Sequence, residues 1–375
     1  MIRKNILLLL LVFILAVLPG CWDYSDLDKF TIPIVWGFDT GNNAQGSQES
    51  GMLEITGIFP SEEYNAGKKS RIEVRNARSL GEALEIRGGF DPKKTATGLI
   101  QAVLFGDALA RKGIKDIDDA LQRNPLVKAS MFMAVVEGKA GDVLKVPSES
   151  YVNQGVFLRN LLERASQKVF LPVTTLHSFE LNTNNAGRNP VLPVVSVING
   201  TDAAITGTGI FKKDKLIDIV GLEETRSLLM LRGIKCEGYI PFQVYKNGEL
   251  LDKGTLYTIN SRKVKVSREG SHFKFVVKII LKCKLFEHIN KSNLSKNTEL
   301  TKEIEKSVKT EIESNCRQFI QKMQEEYKVD CIDITKYALA KWRNELEPVV
   351  DNAFIKKAEI TLDVAVAISS SGDFY

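Results

Sequence analysis

The plainest register in the chain spans 273–285, where Phe273, Phe275, Val277, Ile279, Leu281, Cys283 and Leu285 alternate with Lys274, Lys278, Lys282 and Lys284. A period of two is that of a strand with one dry and one wet face. Helical spacing takes over from Thr298: Leu300, Ile304, Val308, Ile312, Phe319, Ile320, Met323 and Tyr327 fall on one side of a long helix over 298–327, with Glu299, Lys302, Glu303, Glu305 and Lys306 on the other. A shorter helix is expected over 334–344, capped by Asp333 and ended by Pro348. Alternation of Ala358, Ile360, Leu362, Val364, Val366 and Ile368 then predicts a closing strand. Strands, two helices and a last strand describe an α+β unit whose sheet is covered by helices on one face.

The first half mixes the two periods at shorter range. An apolar, β-branched run over 32–38 predicts a first strand, and the Gly, Asn, Gln and Ser of 40–49 a connection. Strands are expected at 52–59 and 71–76, separated by the charged tract 61–70. Leu80, Ala83, Leu84 and Ile86 fit a helix capped by Ser79. Continuous apolar runs of strand length occupy 99–105 and 131–136, with apolar residues at helical intervals over 108–121 between them. The stretch after Gly138 is helical through Leu162, with Val156, Leu158, Leu161 and Leu162 on one face, and 182–189 reads as a loop before a strand at 191–198. Strands interleaved with helices predict a mixed sheet with helices packed on it. The expected fold is therefore α+β, a mixed α/β chain of several domains: 21–200, a strand-rich 201–290, and a helix-helix-strand 291–375 that can also be read as continuous with 201–290.

The amino terminus stands apart. Arg3 and Lys4 precede an unbroken apolar run over 6–18, then Pro19, Gly20 and Cys21, the layout of a secretory signal. At ~1.5 Å per residue that run reaches only about 20 Å, short of a hydrocarbon core of about 30 Å. Leu18, Gly20 and Cys21 resemble a bacterial lipobox, in which the thiol after a small residue receives a diacylglyceryl group before the signal is removed. Pro19 departs from the usual residue at its place. The expectation is a signal over 1–20 and a mature chain beginning at acylated Cys21. Its two acyl chains would suffice for stable anchoring at the outer face of a cytoplasmic membrane.

Composition adds little beyond folding. The chain has 375 residues, 44% hydrophobic and 26% charged, which excludes a disordered or fibrous protein. The 51 Lys+Arg against 46 Asp+Glu give +5, too small an excess to point to nucleic acid. Cys236, Cys283, Cys316 and Cys331 form no C-x-x-C pair. They could make two disulfides, but Cys283 sits on the dry register of its strand, and buried free thiols are the favoured reading. His177, His272 and His288 have no zinc-site spacing. Neither a G-x-S-x-G elbow nor a penicillin-binding S-x-x-K set is present. Gly207-Thr208-Gly209-Ile210-Phe211-Lys212-Lys213 lacks the Walker A ending and reads as a strand whose glycines admit close backbone packing. The basic run Arg262, Lys263, Lys265, Arg268, Lys274 and Lys278 reads as the solvated face of a sheet, with attraction to anionic lipid headgroups as the second reading. No catalytic, cofactor or metal residues are selected; Cys21 is the single site.

Several short motifs recur in a specific order. Cys21-Trp22-Asp23 is followed by Asp26-Leu27, then Leu80-Gly81-Glu82-Ala83, and then Phe105-Gly106-Asp107-Ala108-Leu109-Ala110-Arg111-Lys112-Gly113-Ile114. Arg123-Asn124-Pro125 and Glu137-Gly138-Lys139-Ala140 with Val143-Leu144 come next, then Gly207 through Leu216 and the tract 330–342. Together they resemble the GerAC family, the lipoprotein C subunits of spore germinant receptors, over essentially the whole mature chain. Asp26, where a Glu is common, is a small departure. The resemblance implies a three-domain α/β architecture and a non-enzymatic subunit on the outer face of the spore inner membrane. It also implies integral A and B subunits as partners, no nucleic acid, and no cofactor beyond the lipid on Cys21. A solute-binding lipoprotein is the alternative, against which the unlike halves of the chain count; a surface hydrolase is the third.

Overall fold

In the computed structural model the described residues are 5–6, 26–42, 48–60, 70–147, 151, 153–165, 171–290, 297–348, 350 and 354–369. Their elements are β1 (Phe30–Thr31), β2 (Val35–Asn42), β3 (Gln48–Pro60), β4 (Ser70–Ala77), α1 (Leu80–Gly88), β5 (Lys94–Thr95), β6 (Ala102–Gly106), α2 (Asp107–Lys112), α3 (Lys115–Arg123), β7 (Phe132–Val136), α4 (Ala140–Lys145), α5 (Gln154–Ala165) and α6 (Leu176–Asn184). There follow β8 (Val191–Ile198), β9 (Asp202–Lys212), β10 (Lys215–Gly221), α7 (Leu222–Arg232), β11 (Glu237–Lys246), β12 (Glu249–Glu269), β13 (His272–His288), α8 (Thr298–Lys322), α9 (Thr335–Leu346), α10 (Phe354–Lys357) and β14 (Glu359–Ser369).

An eight-stranded sheet runs β10-β9-β8-β7-β6-β2-β3-β4. Its centre, β2, β6, β7 and β8, is parallel, while both flanks are antiparallel. Parallel strands are covered on both faces by their crossover helices, which is why β6 and β7 read as unbroken apolar runs. On one face Trp36, Phe38, Val103, Phe105, Met133 and Val135 pack with α1, α2, α3 and α6. On the other, Val35, Ala102, Leu104, Ala134 and Val136 pack with Ala140, Val143 and Leu144 of α4 and Leu158 and Leu162 of α5. Residues 102 to 105 thus point alternately into two separate cores.

The second sheet, β11-β12-β13-β14, is buried on one face only. β11, β12 and β13 form an antiparallel meander, and β14 joins β13 in parallel after the chain has crossed over through α8 and α9. The alternating residues Phe275, Val277, Ile279, Leu281 and Cys283 face Leu300, Ile304, Val308, Ile312 and Cys316 of α8. The helical stripe expected over 298–327 is present, its last turn being a π-turn over Met323–Tyr327. Mixed α/β content with a long C-terminal helix and closing strand is the fold.

Three departures from expectation have physical causes in the structure. The helical stretch over 108–121 divides into α2 and α3 at Gly113, whose φ of +122° breaks the helix and where a Cβ would lie 2.6 Å from Asp214. α6 runs through Asn184 into the expected loop because Asn182 Nδ2 and Thr183 Oγ1 bond back to the carbonyls of Ser178 and Phe179 at 2.7 and 2.8 Å. α9 is preceded by Asp330 as its cap and not by Asp333: Asp330 Oδ2 accepts from the amides of Ile334 and Thr335 at 2.8 and 2.6 Å. Asp333 instead has a φ of +58° and pairs with Lys336. Gly200 lies in the β8–β9 turn, and the first sheet continues through β10 to Gly221. The charged tract 61–69 and the centre of the 40–49 connection, 43–47, lie outside the described residues, as does the signal run 7–18.

Candidate functional site

Cys21, the one site residue expected from sequence, lies outside the described residues. Two of the described motifs do converge, however, and they do so on Asp39 of β2, just past the stretch of that strand that pairs with β6. Its carboxylate accepts from the Ala140 amide at 2.8 Å and the Gly141 amide at 2.9 Å, bridging β2 to the start of α4. Gly106 closes the arrangement: a Cβ there would stand 2.0 Å from Asp39 Oδ1 and 3.0 Å from the Gly138 carbonyl. The Asp107 amide donates to that same carbonyl at 3.2 Å. Phe105-Gly106-Asp107 and Glu137-Gly138-Lys139-Ala140, some thirty positions apart in sequence, are thus two halves of one knot tied by a carboxylate that neither contains. Burial pushes the Asp39 carboxyl above its ordinary value, against the lowering effect of its two amide bonds. Asp39 was not singled out by sequence; a lone acid directly after the apolar run 32–38 is the signal that could have found it.

A second convergence joins the two sheets. The 330–342 tract enters beside Asn189 of the loop before β8, Lys213 of the β9–β10 turn, and α7. Arg232 donates to the Cys331 carbonyl at 2.5 Å and to the Asn189 carbonyl at 3.1 Å. Asn189 donates to the Asp330 carbonyl at 3.3 Å and accepts from the Lys213 amide at 3.2 Å. Arg262 of β12 reaches the Ile332 carbonyl at 2.7 Å and also the Leu231 carbonyl. Asp330 itself accepts from three amides, those of Ile332, Ile334 and Thr335. Burial raises its carboxyl from the ordinary value, in opposition to those bonds. Tyr327 of the π-turn adds a 2.6 Å bond to Asp218 of β10. Most of these bonds end on main-chain groups, so the arrangement fixes how the two sheets sit together and offers few reactive atoms.

Side chains with chemical potential are placed in cores or ordinary pairs. Cys236, Cys283, Cys316 and Cys331 are free and buried. Burial pushes the Cys236 and Cys283 thiols up to about 11 and Cys316 to about 12, far from the thiolate a nucleophile needs. His288 pairs with the fully buried Asp252 at 2.8 Å. Among the described residues no group of three or more His, Cys, Asp or Glu could hold a metal ion. Gly207 carries the close backbone packing expected of it, a Cβ there standing 2.0 Å from the Val220 carbonyl. The lysines of the second sheet occupy its wet face, where Lys274 pairs with Glu359 at 2.7 Å and Lys278 with Asp363 at 2.9 Å. At the far end of that face Tyr239 and Phe286, each about half exposed, meet edge to face with ring centroids 4.8 Å apart, with Tyr257 at 5.5 Å from Tyr239.

Residues 23–197 match the model of the spore germination protein N-terminal domain, and residues 206–372 match that of the spore germination B3/GerAC-like C-terminal domain. The chain is 24% identical over 327 residues to spore germination protein GerQC of Bacillus cereus, covering 85% of each chain. It is 24% identical over 341 residues to spore germination protein B3 of Bacillus subtilis (strain 168), covering 87% of this chain and 86% of that one. The crystal structure of the GerBC protein has the same fold, with a TM-score of 0.56 at 16% identity over 89% of this chain and 97% of that one. With both domain models matched in order along the chain, the chain belongs to the GerAC family of spore germination proteins.

Proposed function

We propose that the protein is a lipid-anchored, non-enzymatic subunit of a nutrient germinant receptor, needed for the assembly or signalling that triggers spore germination. In this reading a diacylglyceryl group on Cys21 holds it at the outer face of the spore inner membrane, beside integral A and B subunits. The observation that carries the reading is the match of both halves of the chain to spore germination domains. The Leu18-Pro19-Gly20-Cys21 sequence supports the anchor. No helix among the described residues is long and apolar enough to cross a membrane. Confinement to the membrane surface raises the effective concentration of the soluble domains next to embedded partners. The halves are unlike: one sheet is clad on both faces, the other is wrapped on a helix. That asymmetry weighs against the pair of similar lobes around a cleft expected of a solute-binding lipoprotein.

The test is Cys21→Ala. The expected result is loss of membrane retention and impaired germination with nutrient, while the soluble domains keep their melting temperature. Unchanged retention and unchanged germination would overturn the anchor as the operative feature.

A further inference from the structure

Sheet edges are rows of main-chain donors and acceptors that attract further strands unless something occupies them. Three of the four outer strands in the two large sheets are occupied by helix side chains. Along β14, Glu313 and Glu305 of α8 accept from the amides of Val364 and Ile368 at 3.3 and 2.8 Å, and Arg317 donates to the Leu362 carbonyl at 3.3 Å. On β11, Ser307 of α8 donates to the Gln243 carbonyl at 2.6 Å. On β10, Arg111 of α2 reaches the Ile217 carbonyl at 3.3 Å. The fourth outer strand, β4, differs. Beyond its ladder to β3, the described residues give it one bond to main chain, from the side chain of its own Arg75 to the Val74 carbonyl at 2.8 Å. Ile72 and Val74 on this strand are exposed, as is Phe90 beneath Arg75, whose guanidinium lies 4.7 Å from the ring centroid.

An open edge of this kind is complementary to an extended main chain, and the sequence of β4 says which one. Paired antiparallel with itself about Val74, the strand sets Glu73 opposite Arg75 of the second copy, and Arg75 opposite its Glu73. Val74 then meets Val74, and Ile72 meets Asn76. Opposite charges directly across a pair stabilise it. Centring the pair one residue earlier would instead face Glu73 with Glu73 and Arg71 with Arg75, like against like. The Val74 register also lies at the middle of the strand, so it uses nearly the whole edge, and a two-fold axis makes the patch complementary to itself. We propose that β4 is the seam of a two-fold dimer in which two copies of this chain pair antiparallel about Val74, continuing one eight-stranded sheet into the other.

The experiment places Val74→Cys in the full chain in its native membrane and oxidises it with copper-phenanthroline. Ser271→Cys, at the exposed β12–β13 turn, reports random collision. Opposed Cα atoms in an antiparallel pair lie about 4.5 to 5.5 Å apart, which a disulfide spans. The expected result is a disulfide dimer formed at least tenfold faster than with Ser271→Cys. In parallel, light scattering of the detergent-extracted full chain is expected to give a dimer that Val74→Lys converts to a monomer without changing the melting temperature. Three results would overturn the proposal: cross-linking no faster than the control, a dimer that survives Val74→Lys, or a Val74→Cys adduct with a different protein in place of the dimer.

Discussion

The two sheets solve the same problem in opposite ways. In the first, the parallel strands β6 and β7 are buried on both faces, and nearly every residue between 102 and 106 or 132 and 136 belongs to a core. In the second, every other residue of β13 faces water, and α8, with α7, α9 and α10 beside it, fills the inner side. A doubly covered sheet has its chemistry fixed by packing, and the one buried carboxylate among the described residues of its strands, Asp39, is held by two main-chain amides. A singly covered sheet keeps a broad wet face whose lysines and aromatics can change with little effect on folding.

That contrast sets the order of expected mutational effects. The largest is Gly106→Ala, which forces a Cβ onto Asp39 and breaks the knot between β2 and α4. A loss of about 3 kcal/mol or more is expected in urea unfolding. Gly270→Ala in the second sheet, with a φ of +60° and open space around it, should cost only about 1 kcal/mol. Equal losses at the two glycines would erase the distinction.

Next comes a pH effect on the doubly covered side. Asp118 of α3 is buried, and burial lifts its carboxyl from 3.8 to about 6, opposed by a bond from Gln122 and reinforced by nearby Asp119. The folded chain therefore holds this proton more tightly than the unfolded chain. The stabilisation is fully present below the unfolded value and is lost as pH rises through about 6. Asp118→Asn should flatten the stability profile between pH 4 and 7 by about 2 to 3 kcal/mol relative to the native chain. Parallel profiles for the two would contradict the burial argument. Ser79→Ala, which removes the hydroxyl accepting the Glu82 amide at 3.1 Å, should cost about 1 kcal/mol in the same assay. Smallest of all, Lys282→Ala on the wet face of β13 should leave unfolding within about 0.5 kcal/mol of native. A larger loss would mean that this face is structurally committed.

Much of this was legible in the chain itself. The alternation over 273–285, the stripe of α8, the β8 strand and the Ser79 cap each follow from a period or a residue type that acts locally. The features that escaped depend on distant approach. Gly113 breaks a helix because the β9–β10 turn comes near, and Asp330 caps α9 across a tight turn that the nearer Asp333 appeared to claim. β11 and α7 went unforeseen because neither has a long, clean period; α7 is buried along most of its length, with Leu228 through Leu231 all in the core. The ordered motifs identified the family. They did not reveal that two of them meet on Asp39, because that partner lies outside both.

The most direct test of the proposed receptor subunit is the mass of its mature amino-terminal peptide, isolated from spore membranes. The account predicts a peptide beginning at Cys21 and carrying a diacylglyceryl group, with residues 1–20 gone. An unmodified Cys21, or a retained 1–20 segment, would contradict it.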